Sequence, residues 1–186
     1  FSEPDIVPLV PDFVSGGNEE YKGAARGTAY HRLMECLDYT AVDSESQIHK
    51  QITALTEAKK MAYEEAQCIR IQDIMTFLHS EIGQRMKKAF EADQLYREQP
   101  FVLAQSMKNI EKDWNGEETV LVQGIIDVCF EEDGELVVLD YKTDKIWSEQ
   151  KLLDKYQSQL EYYARALEQI TGKKVREKII YSFTMQ

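Results

Sequence analysis

Apolar residues recur at helical spacing over Lys22–Tyr39, through Tyr30, Leu33, Met34 and Leu37, with no proline among them, and this pattern predicts a first helix. Residues 45–92 continue as helix-forming sequence broken near Ser80 and Gly83. Ile52, Leu55, Ile71, Ile74, Met75 and Leu78 are its expected buried set, and the block reads as a helical layer with charge on its outer face. After Asp93 the period changes from helical to extended. Leu95–Leu103 reads as a strand, and Pro100 inside it places it near a sheet edge, because proline cannot donate to a ladder. Thr119–Phe130 and Glu135–Lys142 are rich in β-branched residues and flank Asp133-Gly134, the strongest short hairpin signal. Leu152–Ile170 returns to helical period through Leu153, Tyr156, Leu160, Tyr163 and Leu167; Gly172 closes it, and Val175–Met185 reads as a last strand. Helices, three strands, a helix and a strand make a mixed α/β sandwich rather than a regular βαβ repeat.

The 186 residues suit one domain with a single substantial core. The opening stretch FSEPDIVPLVPDFVSGG holds three of the four prolines and begins at Phe1. Residues 1–21 are therefore expected to be a linker from a longer polypeptide and residues 22–186 the domain itself. The longest apolar runs, such as Ile179–Phe183, fall far below the ~18 residues of a membrane helix, so a soluble protein is expected. Cys36, Cys68 and Cys129 are far apart with no Cys-x-x-Cys, which argues against a disulfide framework, a zinc site or an iron–sulfur cluster and for a reducing, cytoplasmic setting.

A net charge of −11 opposes nucleic acid as a partner, since phosphate binding wants a basic footprint. The excess is even, with 16 acids against 10 bases in residues 1–93 and 17 against 12 in residues 94–186. Lys173, Lys174, Arg176 and Lys178, set against Glu177, make the one locally basic run, and a solvated helix end explains it better than a phosphate contact. No Walker loop and no Gly-x-Ser-x-Gly occurs, and His49 and His79 sit in surface-like helical sequence.

The hairpin carries the chemistry. A two-residue Asp133-Gly134 loop pairs Glu132 with Glu135, and the register extrapolates to Asp127 facing Asp140, with Cβ atoms roughly 4.5–5.5 Å apart on one face. Like charges so placed repel, and a divalent cation between them removes the conflict. Alternation puts Lys142 on the same face, with Ile125, Cys129 and Val138 as neighbours. A solvated salt-bridge ladder is the plain alternative. The apolar neighbours favour instead carboxylates that are paired, metal-bound or neutralised, and oxygen ligands suit Mg²⁺ or Mn²⁺ rather than zinc.

The wording of these segments is more specific than their geometry. Gly124-Ile-Ile-Asp127, then Asp140-Tyr-Lys142-Thr143, then Gln159-Leu-Glu-Tyr-Tyr163 resemble the RecB family of nucleases within the PD-(D/E)XK superfamily. Upstream, Gly27-Thr-Ala-Tyr-His31-Arg-Leu-Met-Glu35 resembles the family's histidine helix, and Arg97-Glu98-Gln-Pro100-Phe101 its first-strand motif. Five motifs in family order cover the chain from about residue 22 onward. The branch they most resemble is that of bacterial AddAB-type helicase–nucleases, and the cysteine cluster of the AddB nuclease is missing here, which favours the other subunit.

The resemblance implies a restriction-endonuclease-like mixed sheet flanked by helices, with an N-terminal helical layer. It implies His31, Asp127 and Asp140 as metal ligands, completed by the backbone carbonyl of Tyr141, with Lys142 as the catalytic lysine. Gln159 and Tyr163, one helical turn apart, would orient the substrate strand or Lys142; Tyr163 could also be core, and Glu98 near the site could be an edge-strand charge. Mg²⁺, with Mn²⁺ possible, would be the cofactor, and DNA and an AddB-like subunit the partners, with no membrane and no iron–sulfur cluster. ATP would act only elsewhere in the parent chain. The implied activity is metal-dependent hydrolysis of single-stranded DNA emerging from a helicase during break repair and recombination. Two rivals stand beside it: a catalytically silent DNA-binding or subunit-docking module, and a solitary structure-specific nuclease.

Overall fold

The computed structural model of the chain describes residues 18–110, 113, 115–143 and 149–183. Most of the expected linker lies outside them, but a helix, α1 (Asn18–Cys36), begins ahead of the expected Lys22 and ends three residues short of Tyr39. The helical block resolves into α2 (Glu45–Glu57), α3 (Tyr63–Ala66), α4 (Ile71–His79) and α5 (Glu81–Glu91). Ser44 caps α2 by accepting from the Gln47 amide, and Ser80 both closes α4 and caps α5, its hydroxyl oxygen accepting from the Gly83 amide. The chain therefore breaks at Ser80 and not at Gly83, which lies inside α5. Ile52, Ile74, Met75 and Leu78 are buried as expected, whereas Leu55 and Ile71 are only half-buried; Ile48, Phe77 and Met86 complete the inner face.

A four-stranded sheet follows, in the order β1 (Leu95–Ser106), β2 (Thr119–Glu132), β3 (Glu135–Lys142), β4 (Val175–Ser182). The first three strands are antiparallel, and β4 joins β3 in parallel through the crossover helix α7 (Glu149–Thr171); a short α6 (Met107–Ile110) lies between β1 and β2. Pro100 sits on β1, an edge strand. The β2–β3 turn has Asp133 and Gly134 at φ 51° and 81°, the pair of left-handed residues that a two-residue hairpin wants. Residues 184–186, the end of the expected last strand, and the side chain of Leu153 lie outside the described residues.

Each face of the sheet carries its own core. Val137, Leu139 and Tyr141 of β3 pack under α1, α2, α4 and α5, while Leu136 and Val138 pack under α7 with Leu160, Tyr163 and Leu167. On β2 the alternation fails once. Val128 and Phe130 face the N-terminal helices, yet Ile126, which alternation would place with them, packs under α7. Across the ladder the same reversal separates Arg97, which reaches α1, from Phe101 and Leu103 under α7. The β1–β2 register is the same on both sides, Arg97 opposite Val128 and Gln99 opposite Ile126, so no residue is inserted. Both strands turn over together at Glu98 and Asp127, and Glu98 has φ 50° there.

A candidate active site at the fork of the sheet

The β2–β3 ladder runs from Glu132–Glu135 to Val128–Leu139 and ends. Asp127 and Asp140 are thus not a ladder pair as the extrapolated register had it; they flank the point where the two strands part. Asp127 turns its carboxylate into the fork, where Oδ2 accepts the Tyr141 amide at 2.9 Å, standing in for a strand carbonyl. The same oxygen lies 3.0 Å from His31 Nε2, on α1. The other ring nitrogen, Nδ1, is 2.9 Å from the Gly27 carbonyl one helical turn back. Ile125, expected beside the carboxylates, is instead 53% exposed, because the strand turns over at Asp127.

Asp140 is buried on the α7 face. Lys142 Nζ lies 2.7 Å from its Oδ2, but off the directions of a hydrogen bond, so that buried oxygen has a charge partner and no hydrogen bond. Three residues of α7 meet this lysine or its neighbours. Gln159 Oε1 accepts from Lys142 Nζ at 3.4 Å, Gln159 Nε2 donates to Tyr163 Oη at 2.6 Å, and the Tyr156 ring centroid lies 3.9 Å from Nζ. Tyr163 is also core: its ring meets that of Phe101 edge-on at 5.3 Å between centroids. A methyl group on Gly124 would come within 2.8 Å of the Phe101 ring and 3.4 Å of Tyr163, so glycine is what lets these rings close over the strand.

Electrostatics follow from the crowding. Burial and then the charge of Asp127 push Asp140 up to about 7 against the pull of Lys142. Burial works to raise Asp127 too, but His31, the Tyr141 amide and Lys142 hold it below the usual carboxylate range. Burial disfavours the His31 cation, yet the hydrogen bond and charge of Asp127 outweigh it and raise the imidazole to about 9. Glu98, half-buried, is raised to about 7 by burial and by the charges of Asp127 and Glu35, so it does stand in the electrostatic neighbourhood of the fork.

Among the described residues no three His, Cys, Asp or Glu side chains stand in a ready-made cation-holding arrangement: His31 is paired with Asp127, and Asp140 with Lys142. The donor chemistry nevertheless fits a hard divalent cation, with two buried carboxylates, one of them carrying an oxygen that lacks a hydrogen bond, beside an imidazole whose Nδ1 is already engaged by a carbonyl, the usual support behind a metal-ligating histidine.

Sequence reasoning misses two groups around the fork. The spacing marks Tyr156 only as a core position of its helix. The other is a polar tie behind α1: Tyr30 Oη donates to Asp73 Oδ2 at 2.5 Å and accepts from the Arg70 amide, while Arg26 reaches both Asp73, at 3.3 Å, and the Thr143 carbonyl, at 3.2 Å. Arg97 holds the far end of α1 through the Met34 and Leu37 carbonyls. Tyr30, Arg26 and Arg97 all lie in or beside the motifs, but only the positions of their partners, 40 to 117 residues away in sequence, reveal what they do.

The family model of the PD-(D/E)XK nuclease superfamily matches residues 10–185. The chain belongs to that superfamily. Proteins described as ATP-dependent helicase/nuclease subunits, of the AddA type, align with nearly all of this PD-(D/E)XK nuclease domain: 40% identical over 191 residues in Clostridium kluyveri, 32% over 215 in Lachnoclostridium phytofermentans and 34% over 192 in Clostridium perfringens. These alignments take in 99%, 97% and 100% of the chain, which spans only 15% or 16% of the length of those relatives. No described helix is long and apolar enough to cross a membrane.

Proposed function

We propose that this nuclease domain hydrolyses phosphodiester bonds of single-stranded DNA in a Mg²⁺-dependent reaction, with Mn²⁺ as a substitute, at the fork between β2 and β3. The observation that carries the reading is the meeting of Asp127, Asp140, His31 and Lys142 at one break in the sheet, with Lys142 Nζ 2.7 Å from Asp140. His31, Asp127, Asp140 and the Tyr141 carbonyl are the proposed ligands. When bound, a divalent cation would supply Lewis acidity toward water and toward the non-bridging oxygens of the phosphodiester.

The chain's own residues do the rest. Lys142, held between Asp140 and α7, places a positive charge where the transition state gains negative charge. The Gly27 carbonyl fixes the His31 ring, and the Tyr141 amide fixes the Asp127 carboxylate, so both groups meet substrate in set orientations. Gln159 and Tyr163 steady Lys142 and border the strand. The names of the relatives support a setting in a longer protein that unwinds DNA with ATP, paired with an AddB-like subunit in the cytoplasm, where this domain trims strands in break repair and recombination.

The test combines Mn²⁺ calorimetry with cleavage of an end-labelled single-stranded oligonucleotide in Mg²⁺. Asp127→Asn and Asp140→Asn are expected to lose both binding and cleavage. Lys142→Ala is expected to keep Mn²⁺ affinity and the fold while cleavage falls at least about a hundredfold. Near-normal cleavage by Lys142→Ala would show that its role is misassigned, and unchanged Mn²⁺ binding by both aspartate variants would place the cation elsewhere. DNA retention without cleavage by the parent chain would favour the silent module.

A further inference from the structure

We propose that Tyr156 is a positioning residue whose ring face holds the Lys142 ammonium for the reaction. The proposal rests on the role given to Lys142 above. Lysine carries its charge on four flexible carbons, and Lys142 is the last residue of β3, so its backbone alone does not fix where Nζ points. Three contacts do: Asp140 Oδ2 at 2.7 Å, Gln159 Oε1 at 3.4 Å and the Tyr156 ring at 3.9 Å from Nζ to centroid. Tyr156, Gln159 and Tyr163 lie at i, i+3 and i+7 along one face of α7, so a single rigid element presents the ring, the amide and the phenol together.

The three holds are not equivalent. Asp140 is a proposed cation ligand, and a carboxylate shared with a divalent cation attracts an ammonium less. Gln159 is at the long limit of a hydrogen bond and also serves Tyr163. A ring face attracts a cation through its quadrupole and is no ligand for Mg²⁺. Its hold on Lys142 therefore persists when the carboxylates are engaged, which is when the charge on Nζ is needed.

The test uses the 186-residue chain with ¹³C-labelled lysine, and the variants Tyr156→Phe, Tyr156→Leu and Lys142→Ala, the last to assign the Lys142 signal. In the metal-free parent the Lys142 ε-methylene protons are expected upfield of those of the other lysines, as the shielding face of a ring requires. Tyr156→Leu is expected to abolish that shift and to lower kcat on single-stranded DNA about tenfold with KM unchanged, and Tyr156→Phe to restore both to within about twofold. Lys142 protons that resonate with the other lysines in the parent refute the ring contact with no variant needed, so a Leu variant that fails to fold does not shelter the proposal. A Phe variant as damaged as Leu, or a Leu variant that cleaves normally, overturns it as well. Undiminished cleavage by Lys142→Ala refutes the role of Lys142 and the rate effect of Tyr156 together, a result separable from the NMR shift.

Discussion

At the scale of single residues the site depends on what one strand position leaves out. Gly124 gives up a side chain so that Phe101 can lie against the strand and Tyr163 against Phe101. Gly124→Ala would drive Cβ to 2.8 Å from a ring that is 4% exposed, and a ring so enclosed cannot swing away freely. The expected cost is about 1–3 kcal/mol, read as a lower urea midpoint, with cleavage falling because Tyr163 carries Gln159. Adding Phe101→Leu makes room for the methyl and is expected to recover part of the stability; a single variant as stable as the parent would show that the rings have slack. Gly124, Asp127, Asp140 and Lys142 are all legible in the sequence, because the chemistry needs those residue types at a hairpin's spacing. Tyr156 is not, since a tyrosine on the inner stripe of an amphipathic helix looks the same whether it faces leucine or an ammonium. Ile125 is misplaced for a different reason: alternation extrapolates a regular strand, and nothing in the letters around Glu98 and Asp127 announces that both strands turn over there.

Between elements, polar ties set the helical layer on the sheet. Arg85 on α5 makes a paired contact with Glu132 of β2, at 2.9 and 2.8 Å, and another with Glu177 of β4, at 3.1 and 2.8 Å, with its guanidinium over the Phe130 ring. The hydrogen bonds from Arg85 hold both glutamates below their ordinary range, against burial. A carboxylate whose folded-state pKa is depressed contributes stability above its unfolded pKa, and that contribution is lost as the pH falls through the lower, folded value. Arg85→Ala is therefore expected to cost about 1–2 kcal/mol at pH 7, a figure kept small by partial exposure. The gap between variant and parent in urea melts is expected to close below about pH 4. A gap that stays constant with pH would mean that Arg85 acts through packing on Phe130 alone. The strands and helices joined in this way are readable from their periods. The block after α4 reads less well, because glycine suggests a break at Gly83, whereas a methyl there would meet the Phe77 carbonyl at 2.1 Å: the glycine serves a close approach of α5 to the end of α4, which has no local signature.

Over the whole molecule the charge of −11 stands against the polyanion that the domain is proposed to cut. The one basic run offers no relief. Lys173 pairs with Glu131, Lys174 with Glu135, Arg176 with Glu132 and Lys178 with Glu161, so these cations are already answered by the protein's own carboxylates and have little counterion release to give. At the fork three carboxylates, Glu98, Asp127 and Asp140, face the approaching phosphate, and local attraction there must come from a cation they hold. The chain alone is therefore expected to bind single-stranded DNA no more tightly than about 1 µM at physiological salt. A motor that feeds the strand past the domain would raise its effective concentration, much as a short linker does for a second binding event. Titrating a labelled single strand into the chain, with Ca²⁺ in place of Mg²⁺ to suppress cleavage, measures the first quantity, and repeating the titration with the longer helicase-bearing protein measures the second. Sub-micromolar binding by the chain alone would remove the need for delivery and favour a nuclease that works by itself; weak binding that tightens only in the longer protein is the outcome that the charge distribution calls for.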